Sequence, residues 1–267
     1  MTRPFLSSLL LLLSLPLAAA PARNQAAPSS AVPPGTAPAA SAAPPTVDAV
    51  LAHYVRALGG QAALQKLTSR LMKGAFEIPA ANVSGSAELD MQAPDRFFSS
   101  VSIPDGGDHI LVFDGKTGWS REPGSGLREI TGLELDQLRR SSQFLYESRL
   151  RSLFRDVRVV KQTTEQHRPV WLLEATPAAG APEQFYFDVE TGLLLRHDSL
   201  QATSEGEVPV QHRYANYVSV DGVQVPSLLL HHDPHIDWQV KFTEIRHNLA
   251  MDPAKFARPA ASETPAH

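Results

Sequence analysis

Apolar positions keep a helical period at the start of the chain and change to a strand period near residue 70. Val47, Val50, Leu51, Tyr54, Val55 and Leu58 recur three or four residues apart, which places them on one face of an α-helix. Gly59 and Gly60 follow, where glycine commonly ends a helix, and residues 62–67 read as a second short helical piece. Beyond it the period is two. Met72, Gly74, Phe76 and Ile78 alternate with their neighbours, as do Phe97, Ser99, Val101 and Ile103. Val83, Gly85, Ala87, Leu89 and Met91 alternate without error with Ser84, Ser86, Glu88 and Asp90. One apolar and one wet side predict an antiparallel sheet that buries a single face. Asp114-Gly115-Lys116-Thr117-Gly118, Glu190-Thr191-Gly192 and Asp221-Gly222 supply hairpin turns. Further strands are expected at residues 170–176, 184–189, 193–199, 208–220, 223–230 and 236–245.

Residues 133–154 interrupt this meander. They contain no Gly or Pro, and Leu135, Leu138, Leu145, Leu150 and Leu153 lie among Arg139, Arg140, Arg149, Arg151 and the following Arg155. The stretch predicts one or two amphipathic helices with a solvated basic face, the alternative being that the arginines bind an anionic head group. A sheet of about ten strands curls, and its apolar face must be covered. The expected fold is therefore α+β and mostly antiparallel β: a strongly curved, incomplete β-barrel wrapped around a leading helix and a mid-chain helical lid. Such a shape leaves an apolar groove between sheet and helices, either filled by side chains or open to an apolar ligand.

The ends of the chain differ from its middle. Arg3 precedes an apolar run over residues 5–17, and Ala18, Ala19 and Ala20 follow it. The run is shorter than the roughly 20 residues needed to span a bilayer, so residues 1–20 read as a secretory signal peptide, with retention as an anchor the alternative. Residues 21–46, dominated by Ala, Pro, Ser and Gly, cannot bury enough apolar surface to offset their ordering entropy and read as a disordered spacer. Residues 47–259 form one domain and 260–267 a loose tail. The chain holds 24 Lys+Arg against 28 Asp+Glu, a formal net charge of −4, without the basic surplus that a nucleic-acid backbone requires. It has no cysteine, which excludes disulfides, thiolate metal sites and cysteine nucleophiles.

Catalytic signatures are missing from the sequence. No G-x-S-x-G elbow or H-E-x-x-H motif occurs. Gly115-Lys116-Thr117 lacks the earlier glycine and the following helix of a phosphate loop. The densest polar cluster is His231-His232-Asp233-Pro234-His235-Ile236-Asp237. In extended geometry His231, Asp233 and His235 share one side, a donor set that suits zinc; the alternative is a wet turn built on Asp233-Pro234. His53, His109, His197 and His212 are scattered and read as satisfied or surface residues. No cofactor is expected, and a metal-dependent hydrolase on His231, His232 and His235 is the one enzymatic alternative.

Two runs carry a family resemblance. Met91-Gln92-Ala93-Pro94-Asp95-Arg96-Phe97-Phe98, then Ile110-Leu111-Val112-Phe113-Asp114-Gly115-Lys116-Thr117-Gly118-Trp119, resemble the periplasmic outer-membrane lipoprotein carriers and lipoprotein-sorting proteins (LolA/LolB-like). In these a strand bearing a basic residue and proline precedes a hairpin reading D-G-K-x-x-W. The Asp188–Leu193 hairpin, the Gly59-Gly60 break, the Asp221-Gly222 turn, and Asn248, Asp252-Pro253, Phe256 and Pro259 follow in the same order across residues 47–259. The resemblance implies an incomplete barrel with a helical lid, periplasmic location, and non-catalytic shielding of lipid or lipoprotein acyl chains between envelope donor and acceptor proteins. The carriers place a functional arginine immediately before the proline; here that position is Ala93, and Arg96 lies nearby without replacing it. Directional hand-off is therefore not implied, and the missing cysteine excludes the anchored receptor form.

In-facing Leu89, Met91, Phe97, Val101, Trp238, Val240 and Phe242 are the candidate groove residues; the same pattern also describes plain core. A monomer carrying lipid is the expected state. The rival from another class is a non-transporting envelope interaction module with a filled core.

Overall fold

The computed structural model describes residues 44–204 and 206–260. The signal peptide expected at 1–20, residues 21–43 of the expected spacer and residues 261–267 of the tail lie outside them. Helix α1 (Val47–Ala57) begins at Thr46, whose Oγ1 accepts the Ala49 amide at 3.2 Å and so satisfies a donor that the helix itself leaves free. It buries Val47, Val50, Leu51 and Tyr54. The chain leaves it through Gly59, at φ 117°. A Cβ there would stand 2.2 Å from the Gly222 carbonyl oxygen, so only glycine lets the helix end approach the sheet this closely. A four-residue helix α2 (Gln61–Leu64) follows.

Thirteen strands form one antiparallel sheet, three more than the sequence pattern suggests. They are β1 (Ser69–Ile78), β2 (Val83–Gln92), β3 (Arg96–Ile103), β4 (Gly107–Phe113), β5 (Gly118–Glu122), β6 (Gly126–Ile130), β7 (Asp156–Glu165), β8 (Arg168–Thr176), β9 (Glu183–Asp188), β10 (Leu194–Thr203), β11 (Gly206–Val220), β12 (Val223–His232) and β13 (Asp237–His247). Their spatial order is β6-β5-β4-β3-β2-β1-β13-β12-β11-β10-β9-β8-β7. The sheet is open, with β6 and β7 as its edges. Strands β5, β6 and β7, like β4 before the Asp114–Gly118 turn, have no range of their own among the expected strands. Of these, β5 and β6 are five residues long, too short to declare a period in their apolar residues, and β7 is a mostly exposed edge with a bulge between Val159 and Lys161. The hairpin turns form as expected. Asp114 Oδ1 accepts the Lys116 and Thr117 amides at 2.7 and 2.6 Å, and Asp221 and Gly222 both take positive φ, as a two-residue hairpin requires.

The helical stretch is broken in the middle. Helix α3 (Gly132–Ser141) is followed by a backbone reversal at Leu145, φ 59°. A 3₁₀ turn over Tyr146–Arg149 and a short helix α4 (Leu150–Leu153) come next. Helix α3 explains why the sheet counts as an incomplete barrel. Its Leu135 and Leu138 pack on Phe97, Leu111, Phe113 and Ile130 from one limb of the sheet. Its Gln137 reaches the other limb, donating to the Leu200 carbonyl at 2.8 Å and accepting the Ala202 amide at 2.7 Å. One helix thus touches both arms, and the sheet curls around it.

The main core lies on the helix-covered inner face and joins α1, Phe144, Tyr146, Leu150 and Phe154 to Phe76, Leu173, Phe185, Phe187 and Val225. Tyr54 meets Phe187 edge to face, centroids 5.1 Å apart. On the outer face, Lys255 from the 3₁₀ turn Pro253–Phe256 pairs with Glu88 and Asp90 of β2. The expected basic face of the interrupting helices needs one correction. Arg139 and Arg151 are exposed and pair with Asp136 and Asp48, but Arg140 is turned inward, its side chain 10% exposed, against Glu183. A buried carboxylate on β9 draws it under the cover.

Candidate ligand groove

The strand register sets which residues share the inner face. Met91 stands opposite Arg70 on β1 and Phe97 on β3; Leu89 stands opposite Met72 and Ser99; Val101 stands opposite Ala87. On the other side of β1, Phe242 pairs with Gly74 and Val240 with Phe76, while Trp238 faces His231 on β12. Leu89, Met91, Val101 and Trp238 are half-buried and pack against the main core, in which Val240 and Phe242 are fully included at 4% and 8% exposure. Phe97, also half-buried, joins the smaller cluster beneath α3. Of the seven candidates, two are core and five are incompletely covered: Leu89, Met91, Phe97 and Val101 on β2 and β3, and Trp238 apart from them on β13, stacked on His231.

The space beneath the cover is small. Between α1, the Tyr146–Arg149 turn and the sheet lies a cavity of about 60 Å³, lined by Tyr54, Arg70, Leu145, Glu147, Tyr214 and Tyr217 among others. That is room for a few water molecules, not for an acyl chain. The helices must move before a lipid tail can enter. A larger, open depression of about 430 Å³ lies across the strands β11–β13, with Gln211, Arg213, Leu230 and Gln239 in its walls together with His231 and the groove candidate Trp238.

The inner face also carries a polar ribbon that no sequence pattern announced. His197, His212 and His231 lie at directly paired positions on β10, β11 and β12. His212 Nε2 and His231 Nδ1 are 3.0 Å apart. His197 stacks on Phe185 and His231 on Trp238, with centroids at 4.3 and 4.5 Å. At one end His197 Nε2 meets Glu183 Oε2 at 2.8 Å. The same carboxylate accepts the Tyr146 hydroxyl at 2.6 Å and the Arg140 guanidinium at 2.5 Å. Glu183 therefore ties α3 and the Tyr146–Arg149 turn to the sheet. Burial by itself would raise its pKa, but the hydrogen bond and charge of His197, the Arg140 charge and the Tyr146 hydroxyl together hold it down at about 2. Burial, with His231 and His197 alongside, holds His212 well below the ordinary histidine range. Burial also lowers His231, against the opposing pull of Asp233. These histidines lie 15 and 19 residues apart in sequence; only hairpin register brings them together.

The run at 231–237 is not extended. Asp233 Oδ1 accepts the amides of His235 and Ile236 at 2.7 and 2.9 Å, which closes the β12–β13 hairpin as an Asx turn. His231 Nε2 bonds Asp233 Oδ2 at 2.9 Å and His232 Nδ1 bonds Asp237 at 2.5 Å, while His235 is exposed. The turn separates His235 from the side that an extended run would give it. Among the described residues, no three His, Asp or Glu side chains are placed to hold a metal ion. Ala93 is exposed beyond the end of β2, and Arg96 Nη1 reaches Gln92 Oε1 at 3.4 Å. His109, read as scattered, is 2% exposed and paired with Glu122.

An open antiparallel sheet curled around a helix, with its apolar face inward and a short helical cover, defines a LolA-type incomplete barrel. Solved structures agree at the level of fold. A LolA superfamily protein from Nitrosomonas europaea superposes with a TM-score of 0.53 at 10% identity, covering 80% of this chain and 98% of that one. A DUF1329 family protein from Desulfovibrio piger does so with a TM-score of 0.53 at 14% identity, covering 79% and 97%. No protein-family model matches the chain, and a comparison with curated proteins finds no match. The sequence resemblance to LolA-like proteins thus has its counterpart in the architecture. No helix among the described residues is long and apolar enough to cross a membrane.

Proposed function

We propose that the protein is a non-catalytic carrier of the bacterial periplasm that shelters lipid, or the acyl chains of a lipoprotein, between the inner face of the sheet and its helical cover. The observation that carries this reading is the half-buried strip Leu89, Met91, Phe97, Val101 on the inner face of a LolA-type barrel. These four apolar side chains stay only half-buried beside a core whose other members are covered. Transfer of an acyl chain into such a surface is worth about 0.8 kcal/mol per CH₂, so a 16-carbon chain gains on the order of 12 kcal/mol. That gain is set against the burial of Tyr146 and Leu150 in a cover made of one 3₁₀ turn and a four-residue helix.

Titration of the detergent-free protein with an apolar, environment-sensitive fluorophore tests the proposal. Saturable uptake near one per chain, with faster amide exchange over residues 144–154, is the expected result. No uptake and no change in exchange would contradict it. A second reading, an envelope interaction module with a filled interior, is favoured by the small size of the cavity under the cover. It shares the fold but predicts that no lipid enters.

A further inference from the structure

The cavity under the cover holds charged and hydroxyl groups among its apolar walls, unlike the strip beside it. Arg70, near the start of β1, enters it, with Tyr54 from α1, Tyr214 and Tyr217 from β11 and Glu147 from the cover around it. Its Nε donates to His247 Nε2 at 3.1 Å. Burial and the Arg70 charge hold His247 below the usual histidine range, so this neighbour supplies no counter-charge. Among the described residues Arg70 forms no ion pair, and Glu147 acts on it only through space. Tyr217 donates to the Leu194 carbonyl at 2.8 Å, whereas the hydroxyls of Tyr54 and Tyr214 make no hydrogen bond to a described residue. A desolvated cation without a contacting anion is expensive to keep. Its planar fork of donors matches a carboxylate or phosphate. The register completes the arrangement, because Arg70 is directly opposite Met91, which is directly opposite Phe97.

We propose that Arg70 receives the anionic head group, carboxylate or phosphate, of a single-chain amphiphile whose tail lies along the Met91–Phe97 strip. This rests on the carrier reading and specifies its ligand. The hydroxyls of Tyr54 and Tyr214 supply further donors to the head. An anion at Arg70 takes over the attraction now exerted on Glu147 and repels that carboxylate, so head-group binding favours the raised cover under which the tail is held.

The test uses the full-length protein loaded with the apolar fluorophore and displaced by hexadecanoate, hexadecyl phosphate or hexadecanol, each below its aggregation threshold. The two anions should displace the probe at concentrations at least tenfold lower than the alcohol. Arg70→Gln should bring the anions to the level of the alcohol, with the alcohol itself unchanged, and Arg70→Lys should retain part of the preference. If Arg70→Gln does not fold, Tyr214→Phe takes its place and should weaken the anions severalfold without affecting the alcohol. Equal displacement by all three compounds in the wild type, or a preference that survives Arg70→Gln or is untouched by Tyr214→Phe, overturns the head-group assignment and leaves the carrier reading standing. Failure of the fluorophore and of all three compounds to bind overturns both.

Discussion

The Tyr146 hydroxyl donates to Glu183 Oε2 at 2.6 Å, so the central turn of the cover hangs on the carboxylate that also holds Arg140 and His197. Arg140 and Glu183 are 10% and 7% exposed. Removing one member of such a pair strands the other charge, which costs roughly 3–5 kcal/mol. Glu183→Gln is therefore expected to lower unfolding free energy by about that much in urea titration, and to raise exchange over residues 144–154 more than elsewhere. A loss below about 1 kcal/mol would show that the cover is held by its apolar contacts alone.

Acid should loosen the structure in two stages. Histidines lowered by burial, His212 and His231, bind fewer protons folded than unfolded, so stability falls as pH drops below the free histidine value of about 6.5. Glu183, held at about 2, contributes stability that is complete above the free glutamate value of about 4.3 and is lost as pH falls toward 2. Thermal midpoints should decline between pH 7 and 5 and again below pH 4.5. His212→Gln should flatten the first decline and Glu183→Gln the second. A wild-type midpoint constant from pH 7.5 to 5 would contradict the burial of the histidine row.

Gly59 fixes how α1 meets the β11–β12 hairpin, and the Gln224 amide donates to the Leu58 carbonyl at 2.9 Å beside it. Gly59→Ala adds positive-φ strain of roughly 1–3 kcal/mol and a collision with Gly222. The variant should unfold at lower urea, whereas Gly60→Ala, where a Cβ meets nothing within 4 Å, should show the φ strain alone.

Core and groove separate by mutation. Phe76 is fully buried, and Phe76→Ala should cost about 3–5 kcal/mol. Met91→Gln, at a half-buried position, should change stability by less than about 1 kcal/mol while reducing fluorophore uptake severalfold. Equal uptake by Met91→Gln and wild type would place the ligand elsewhere.

Local pattern made much of this architecture legible. The Val83–Met91 alternation and the Asp221-Gly222 turn each encode their own geometry, and β2, β11 and β12 follow. Edges do not encode themselves in that way: β7 buries Val157 but leaves most of its length exposed, and a solvated Val160 (41% exposed) breaks the period. Helix α3 was visible, but the reversal at Leu145 was not, because no residue there favours positive φ. The groove candidates Leu89 and Met91 lie on the expected face, yet core and groove differ only in how far a distant helix covers them. His197, His212, His231 and Arg70 were least legible. Their company is set by register between strands, and Arg70 by itself reads as one more surface base at a strand start.

The most direct measurement is native mass spectrometry of the full-length protein purified from cell extract without detergent. A mass increment of a few hundred daltons or more that dissociates as an acyl lipid on activation is the predicted result. A clean mass of the unliganded chain, unchanged after incubation with lipid vesicles, would contradict the carrier account and leave only the fold.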